Sequence, residues 1–200
     1  IKKLKADLSN NFSIELDNTY KVKKFEYNIS GVINEGKIEF LNPIKNTILG
    51  EELKQVYFSD LKITTNYKPK KINFLGQGKY SLNNSDFLKI TFENKINKDL
   101  MNLVLNLDLK NNLEISIINY LKPSNSIANL SLELKKKGDK IIIKNLNLND
   151  KRDSININDL VLRKNELLSF KKIKILTAEN DFFISNEKKI IIKGDKFDAS

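Results

Sequence analysis

The sequence predicts an all-β fold, a long twisted antiparallel sheet whose bulged strands curl into an open groove or half-barrel, with few short helices. Three observations support this prediction: polar and apolar residues alternate along most of the chain, turn-forming residues separate the alternating stretches, and one recurring apolar spacing fits a bulged strand. The alternating stretches recur along the 200-residue chain. We therefore expect residues 1–200 to form a single continuous β-groove segment.

The alternating stretches mark strands that bury one face, because successive side chains of a strand point to opposite sides of the sheet. Five stretches show the pattern, with apolar members Phe12/Ile14/Leu16, Phe25/Tyr27/Ile29, Leu103/Leu105/Leu107/Leu109, Leu113/Ile115/Ile117 and Leu130/Leu132/Leu134. Turn signals lie at Ser30-Gly31, Asn34-Glu35-Gly36, Asn83-Asn84-Ser85, Lys110-Asn111-Asn112, Gly138-Asp139 and Gly194-Asp195. Hairpins at these turns predict a mostly up-and-down connectivity.

The recurring spacing places apolar residues at positions i, i+2, i+5 and i+7. It is found at Val56/Phe58/Leu61/Ile63, Ile141/Ile143/Leu146/Leu148 and Ile155/Ile157/Leu160/Leu162, and in part at Ile190/Ile192/Phe197. A helix would scatter these positions around its axis, whereas a strand with one extra residue in its middle keeps them on one face. Because bulges increase the local twist, several in series predict a curved sheet.

Helical signals are weak and confined to two short segments. One runs from Pro43 to Val56 and the other from Glu93 to Leu100. Neither segment is long enough to cover a sheet of this size. The apolar face must therefore meet another sheet, itself or a ligand.

The composition excludes most enzyme chemistry. The chain has no His, Cys or Trp, which removes the usual nucleophile–base pairs, thiolate chemistry and nearly all zinc sites. Gly76-Gln77-Gly78 lacks the following helix that a phosphate site needs. The carboxylate pairs Glu51-Glu52, Asp150/Asp153 and Asp195/Asp198 lie in turn-rich segments, where solvated residues are expected. We predict no enzyme, no catalytic residue, no cofactor and no metal, and only a glycan-cleaving domain with two converging carboxylates stays open.

The net charge of +10 comes almost wholly from Lys. Abundant Lys, Asn and Ile together are typical of AT-rich codons, so genome composition is the first explanation, and attraction to phosphate or anionic headgroups is the second. The run from Lys135 to Lys140 is expected at a hairpin tip, as a solvated turn or a headgroup contact. Because the basic stretches lack interleaved aromatic residues and Arg, no nucleic-acid partner is predicted.

The chain begins at Ile1 and ends at Asp198-Ala199-Ser200 without a closing element. We therefore expect a segment of a longer polypeptide, with any anchor or signal upstream. No apolar run approaches the ~20 residues that span a bilayer. The absence of Cys fits the cytosol and the periplasm alike.

The form Ile-x-Ile-x-x-Leu-x-Leu, at Ile141 to Leu148 and Ile155 to Leu162, resembles the strand signature of the AsmA-like superfamily of bacterial envelope proteins. The stretch from Ile190 to Ala199 is similar to segments of its YhdP and TamB-like branch. Asn28 to Phe40 resembles the strand-turn-strand units of that branch.

This resemblance implies a non-enzymatic β-groove in the periplasm that shields phospholipid acyl chains during transport between the inner and outer membranes. It also implies an inner-membrane anchor outside this segment, and other envelope proteins are candidate partners. The residues expected to line the groove are Val56, Phe58, Leu61, Ile63, Leu103, Leu105, Leu107, Ile141, Ile143, Leu146, Leu148, Ile155, Ile157, Leu160, Leu162, Ile190, Ile192 and Phe197.

A second hypothesis of a different class stays open. The chain would then be a structural or adhesive β-sandwich or solenoid that binds protein partners through its sheet edges. A sandwich predicts a dry core sealed by side chains, whereas a lipid groove predicts an open apolar surface. The two hypotheses therefore differ in what covers the apolar face.

Overall fold

The computed structural model describes residues 1–45, 52–164 and 166–198. Fifteen β-strands account for about three-quarters of them, so the all-β prediction is confirmed. The strands are β1 (Lys3–Leu16), β2 (Val22–Lys45), β3 (Glu52–Lys68), β4 (Lys71–Ser81), β5 (Leu88–Asn97), β6 (Leu100–Leu109), β7 (Leu113–Ile115), β8 (Tyr120–Lys122), β9 (Ala128–Lys137), β10 (Lys140–Asp150), β11 (Asp153–Arg163), β12 (Glu166–Ser169), β13 (Lys172–Leu176), β14 (Asp181–Asn186) and β15 (Ile190–Lys196).

One antiparallel sheet contains thirteen of these strands. Its order is β1-β2-β3-β4-β5-β6-β9-β10-β11-β13-β14-β15, and β12 pairs with β11 beside β13. The sheet is open, with β1 and β15 at its two edges. Neighbours in sequence are neighbours in space almost everywhere, which confirms the up-and-down connectivity. At ~4.8 Å per strand the path is about 50 Å wide.

The longest detour in the described part of this path lies between β6 and β9. Residues 110–127, called the excursion below, form the two-stranded sheet β7–β8 and a 3₁₀ turn at Ser116–Ile118. The predicted strand through Ile117 therefore ends at Ile115. Asn119, in the left-handed region at φ 44°, closes the turn.

The two helix predictions are wrong wherever the structure describes them. Residues 43–45 belong to β2 and residues 52–56 to β3, while residues 46–51 lie outside the described part of the chain. Glu93 to Leu100 forms the end of β5, a tight turn and the start of β6. Ile90, Phe92 and Ile96 alternate in phase with their neighbours on β4 and β6, and cross-strand pairing of these side chains overrides the weak helical signal.

Three turn predictions are also wrong, because the glycines lie inside strands. Ser30-Gly31 and Asn34-Glu35-Gly36 are within β2, and Gly194-Asp195 is within β15. A Cβ on Gly31 would lie 2.1 Å from the carbonyl oxygen of Asp7, and one on Gly194 would lie 2.2 Å from that of Asp181. These glycines allow close approach of a neighbouring strand. The signals at 83–85, 110–112 and 138–139 do fall between strands.

The predicted bulges are present. The register between β3 and β4 shifts between Ser59 and Lys62, and that between β10 and β9 shifts between Ile143 and Asn145. Asp60 and Asp159 hold the middle of their strands in the left-handed region, at φ 51° and 49°. Aspartate tolerates this conformation better than most residues, since its short polar side chain bonds locally.

Candidate functional site: one apolar face

The main functional candidate is one face of the large sheet. Residues paired directly across two antiparallel strands share a face, so the register of each strand pair assigns its side chains to a side. Followed across the sheet, the pairing gathers most of the apolar residues on one side, called the apolar face, and most of the Lys, Asn, Ser and Glu on the other, called the polar face.

One line of cross-strand pairs crosses the entire sheet without a polar side chain. We call it the apolar row. It comprises Leu8, Gly31, Ile63, Gly76, Phe92, Leu105, Leu132, Leu146, Ile157, Ile173, Ile184 and Ile192. Each strand from β1 to β15 along the path supplies one member. The row is therefore continuous from edge to edge.

All of the sequence-predicted lining residues that belong to strands lie on the apolar face. Their partners show this directly: Val56 pairs with Ile38, Leu148 with Ile155, and Ile141 with Leu162. Phe197 follows the end of β15 and packs its ring against Phe182, with the centroids 4.9 Å apart. The bulges at Asp60 and Asp159 keep both halves of their strands in phase with this face.

The face is unevenly covered. Leu61, Leu148 and Ile155 are buried, most of the other predicted lining residues are half-buried, and Ile190, Ile192 and Phe197 are each about two-thirds exposed. On β1, Phe12 is 65% exposed. The apolar surface therefore reaches solvent at both edges of the sheet.

The excursion covers one end of the apolar face over strands β9 to β14. Leu113, Ile118 and Tyr120 pack into the same buried cluster as Leu148 and Ile155. Ala128, Ile175 and Phe182 complete this cluster. The principal buried core thus lies between the excursion and strands β9 to β14.

Hydrogen bonds fasten the excursion at both of its ends. The fully buried Lys122 ammonium donates to the carbonyl oxygens of Lys110, Asn111, Pro123 and Ser126 at 2.7–3.2 Å. Burial lowers the pKa of Lys122, and the nearby Asp150 opposes that shift. Four acceptors around one ammonium offset the loss of its hydration.

Further contacts tie the excursion to the turn between β13 and β14. The buried Asn180 amide donates to the carbonyl oxygen of Ile118 at 2.7 Å, and the Asn180 side-chain oxygen accepts the backbone N–H of Asp198 at 2.8 Å. The Ser126 hydroxyl donates to an Asp150 carboxylate oxygen at 3.0 Å. These bonds hold the excursion against this end of the sheet.

The carboxylate pair Asp150/Asp153 departs from the sequence expectation, because Asp150 is 6% exposed and Asp153 is half-buried. Burial raises the pKa of Asp153, and the negative charge of Asp150 raises it further. Both residues lie where β10 turns into β11, against the excursion. Within the described residues no group of three or more acidic, His or Cys side chains is placed to hold a metal ion.

The glycines of Gly76-Gln77-Gly78 have a structural role in β4. A Cβ on Gly76 would lie 2.3 Å from the ring of Phe92, its partner on β5. The ring therefore fills the space over the glycine and keeps the apolar row filled at β4. The segment is extended and is not a phosphate-binding turn.

The polar face carries ion pairs between neighbouring strands. Lys144 lies 2.9 Å from Asp159 where β10 and β11 bulge together, and Lys68 lies 3.2 Å from Glu26. The hydrogen bond from Lys144 lowers the pKa of Asp159. Such partly exposed pairs contribute little to stability but favour a solvated polar face.

Sequence reasoning missed two parts of the face. Phe92, Ile173 and Ile184 belong to the apolar row, and period-2 alternation at 88–92, 173–175 and 182–184 could have identified them. In the excursion, alternation at Leu113 and Ile115 marked β7, but no signal indicated how the segment packs against the sheet. In the sequence, Lys122 is indistinguishable from an exposed lysine. Its burial among carbonyl groups arises only in the folded chain.

No protein-family model, curated protein or solved structure matches the chain. No helix among the described residues is long and apolar enough to cross a membrane.

Proposed function

We propose that this chain is a non-enzymatic segment of a bacterial envelope protein that shields phospholipid acyl chains along its apolar face during transport between the inner and outer membranes. The observation that carries the proposal is the apolar row, which crosses the whole sheet with no polar interruption. The resemblance to the AsmA-like superfamily points the same way. It implies a periplasmic protein, anchored in the inner membrane by a segment outside this chain.

The length of the row favours a track over a pocket. Since a bilayer core of ~30 Å contains two layers of acyl chains, one chain is ~15 Å long. The apolar row is about 50 Å long, which is about three times the length of one acyl chain. A lipid can move along such a row without its chains losing apolar contact.

The energetic reason for such a surface is the insolubility of the lipid. Moving a diacyl lipid with ~30 methylenes into water costs on the order of 25 kcal/mol at ~0.8 kcal/mol for each methylene. A groove formed by curvature of the bulged sheet would remove most of this penalty. Its action needs length and apolar surface, without catalytic groups, cofactors or metals.

The test compares the two faces of the same strands. The intact polypeptide would be purified from a Gram-negative host in mild detergent, and its bound lipid quantified by mass spectrometry. Leu105→Asp/Leu160→Asp places two charges on the apolar face, and Val104→Asp/Val161→Asp places the same charges on adjacent residues of the polar face. Circular dichroism would verify that both variants fold.

We expect phospholipid to accompany the wild type and the polar-face variant, and to be lost from the apolar-face variant. A folded wild type free of lipid would refute the proposal. Equal lipid retention by both variants would also count against binding on this face.

A second candidate function is supported by the open edges. The outer edge of β1, a strand of 14 residues, has no partner among the described residues. An unpaired edge of that length is a template for adding a strand from another protein. Stable capture of a protein partner by the lipid-free protein would favour this binding role.

A further inference from the structure

The two ends of the sheet differ in charge. In an up-and-down sheet successive connections alternate between the ends, so those after β1, β3, β5, β9, β11 and β14 share one end, called the basic end. Each connection is counted together with the last residue of the strand before it and the first residue of the strand after it. So counted, these connections carry eleven Lys or Arg and five Asp or Glu. The described connections at the opposite end follow β4, β6, β10 and β13. They carry four Lys or Arg and six Asp or Glu.

Genome composition does not explain this asymmetry. A general abundance of Lys raises the charge of both ends alike. The difference therefore follows from where the chain places its lysines, and a field of one sign at one end attracts anions to that end.

Three tight turns at the basic end place lysine in an unfavourable backbone conformation. Lys70, Lys98 and Lys164 have φ of 64°, 56° and 51°, in the left-handed region where Gly or Asn is the usual residue. None of the three forms an ion pair with another described residue. Their charges are thus available to a ligand.

Backbone hydrogen bonds link neighbouring turns at this end. The N–H of Lys98 donates to the carbonyl oxygen of Lys70 at 2.7 Å, and the N–H of Lys164 donates to that of Asp139 at 3.2 Å. Adjacent turns are therefore held side by side. The lysines form a fixed border to the sheet.

One lysine lies on the apolar face itself. Lys136 pairs with Met101 on β6 and with Ile141 on β10, and it is exposed. It stands where the apolar face meets the basic end. A ligand spanning this border would meet apolar surface on one side and cationic groups on the other.

We propose that the basic end binds the phosphate groups of anionic phospholipids whose acyl chains lie on the apolar face. This inference rests on the proposed function and adds to it the headgroup class and the orientation. Acyl chains point from the basic end toward the excursion. Phosphatidylglycerol is the preferred class over zwitterionic phosphatidylcholine.

The test uses the intact polypeptide and vesicles of equal parts phosphatidylglycerol and phosphatidylcholine. After flotation removes the vesicles, both lipids bound to the protein are quantified by mass spectrometry. The variant Lys70→Asn/Lys98→Asn/Lys164→Asn removes three charges while keeping a residue that tolerates left-handed φ. The control Lys89→Asn/Lys151→Asn/Arg152→Asn removes three charges away from the basic end, and thermal unfolding checks both folds.

The wild type and the control are expected to prefer phosphatidylglycerol, and the basic-end variant to lose that preference by roughly tenfold or more, given the attraction of each lysine to anionic lipid. High salt should weaken the preference in the wild type. Equal binding of both lipids by the wild type, or equal loss in both variants, would refute the headgroup assignment alone. Binding of neither lipid would refute the proposed function as well.

Discussion

At the scale of single residues, the buried Tyr120 makes stability sensitive to alkaline pH. Its side chain is 3% exposed, and burial together with the charges of Asp150 and Asp153 raises the pKa of Tyr120 to about 12. The unfolded chain ionises this phenol near pH 10, whereas the folded chain keeps the proton. Stability therefore falls as pH rises from about 10 to 12, because the unfolded state binds fewer protons there.

Tyr120→Phe removes this titration. We expect the free energy of unfolding of the wild type, relative to the variant, to fall by at most about 2 kcal/mol between pH 9.5 and 12. Urea unfolding at several pH values measures the difference. Tyr20→Phe, at an 87% exposed site, is the control, and an identical pH profile for wild type and Tyr120→Phe would contradict the prediction.

Lys122 provides a second residue-scale prediction. Lys122→Met removes the ammonium donor from the carbonyl oxygens of Lys110, Asn111 and Ser126, whereas that of Pro123 still accepts from Ser126. We therefore expect a loss of about 2–4 kcal/mol in the free energy of unfolding. Lys110→Met is the matched control, since it breaks only a partly exposed pair with Asp86, which is worth about 0–1 kcal/mol. Chemical denaturation compares the two, and equal losses would show that the ammonium does not hold the excursion.

At the scale of the strand, the bulge residue decides which side the second half of the strand presents. If Asp159 took a regular strand position instead of forming the bulge, Leu160 and Leu162 would move to the polar face, because side chains alternate with a period of two. The left-handed φ of 49° at Asp159 allows the strand to accommodate one extra residue as a bulge. The backbone conformation at one position thus determines on which face of the sheet the following side chains lie.

Asp159→Gly and Asp159→Val separate this backbone effect from the ion pair. Both variants lose the contact with Lys144, but only valine is strained by a positive φ. We expect Asp159→Gly to be more stable than Asp159→Val by about 1–2 kcal/mol, measured by thermal or urea unfolding. Equal stability would mean that the strand abandons the bulge.

Strands and bulges were the most predictable parts of this protein. Alternation and the i, i+2, i+5, i+7 spacing are local signals, and they placed every strand-borne lining residue on one face. Gly31 and Gly194 resemble turn residues in the sequence, because a turn and a close strand approach both favour a residue without a Cβ. The packing of the excursion could not be predicted, because the four acceptors of Lys122 come together only after folding.

At the scale of the whole molecule, protection of the backbone depends on position in the sheet. Interior strands such as β6 and β9 pair on both sides, whereas in the described part of the chain β1 and β15 pair on one side only. Half of the amides in an edge strand therefore lack a partner strand. Local opening is expected to begin at the edges.

Hydrogen–deuterium exchange followed by mass spectrometry tests this gradient. We expect amides of β1 and β15 to exchange fastest and those of β6, β9 and β10 slowest. Peptides from β4 and β5 provide the internal comparison, because both strands are paired on each side. Protection of β1 equal to that of β9 would show that another strand covers the edge.

The up-and-down order also determines how the protein can change in length. Adding or removing one hairpin leaves every remaining strand with the same direction and the same side chains on the apolar face. This is because the two antiparallel strands of a hairpin return the chain to its original direction. Each hairpin adds ~10 Å to the apolar row. Duplication of a single hairpin would therefore lengthen the row in steps of constant size, with no redesign of the strands on either side.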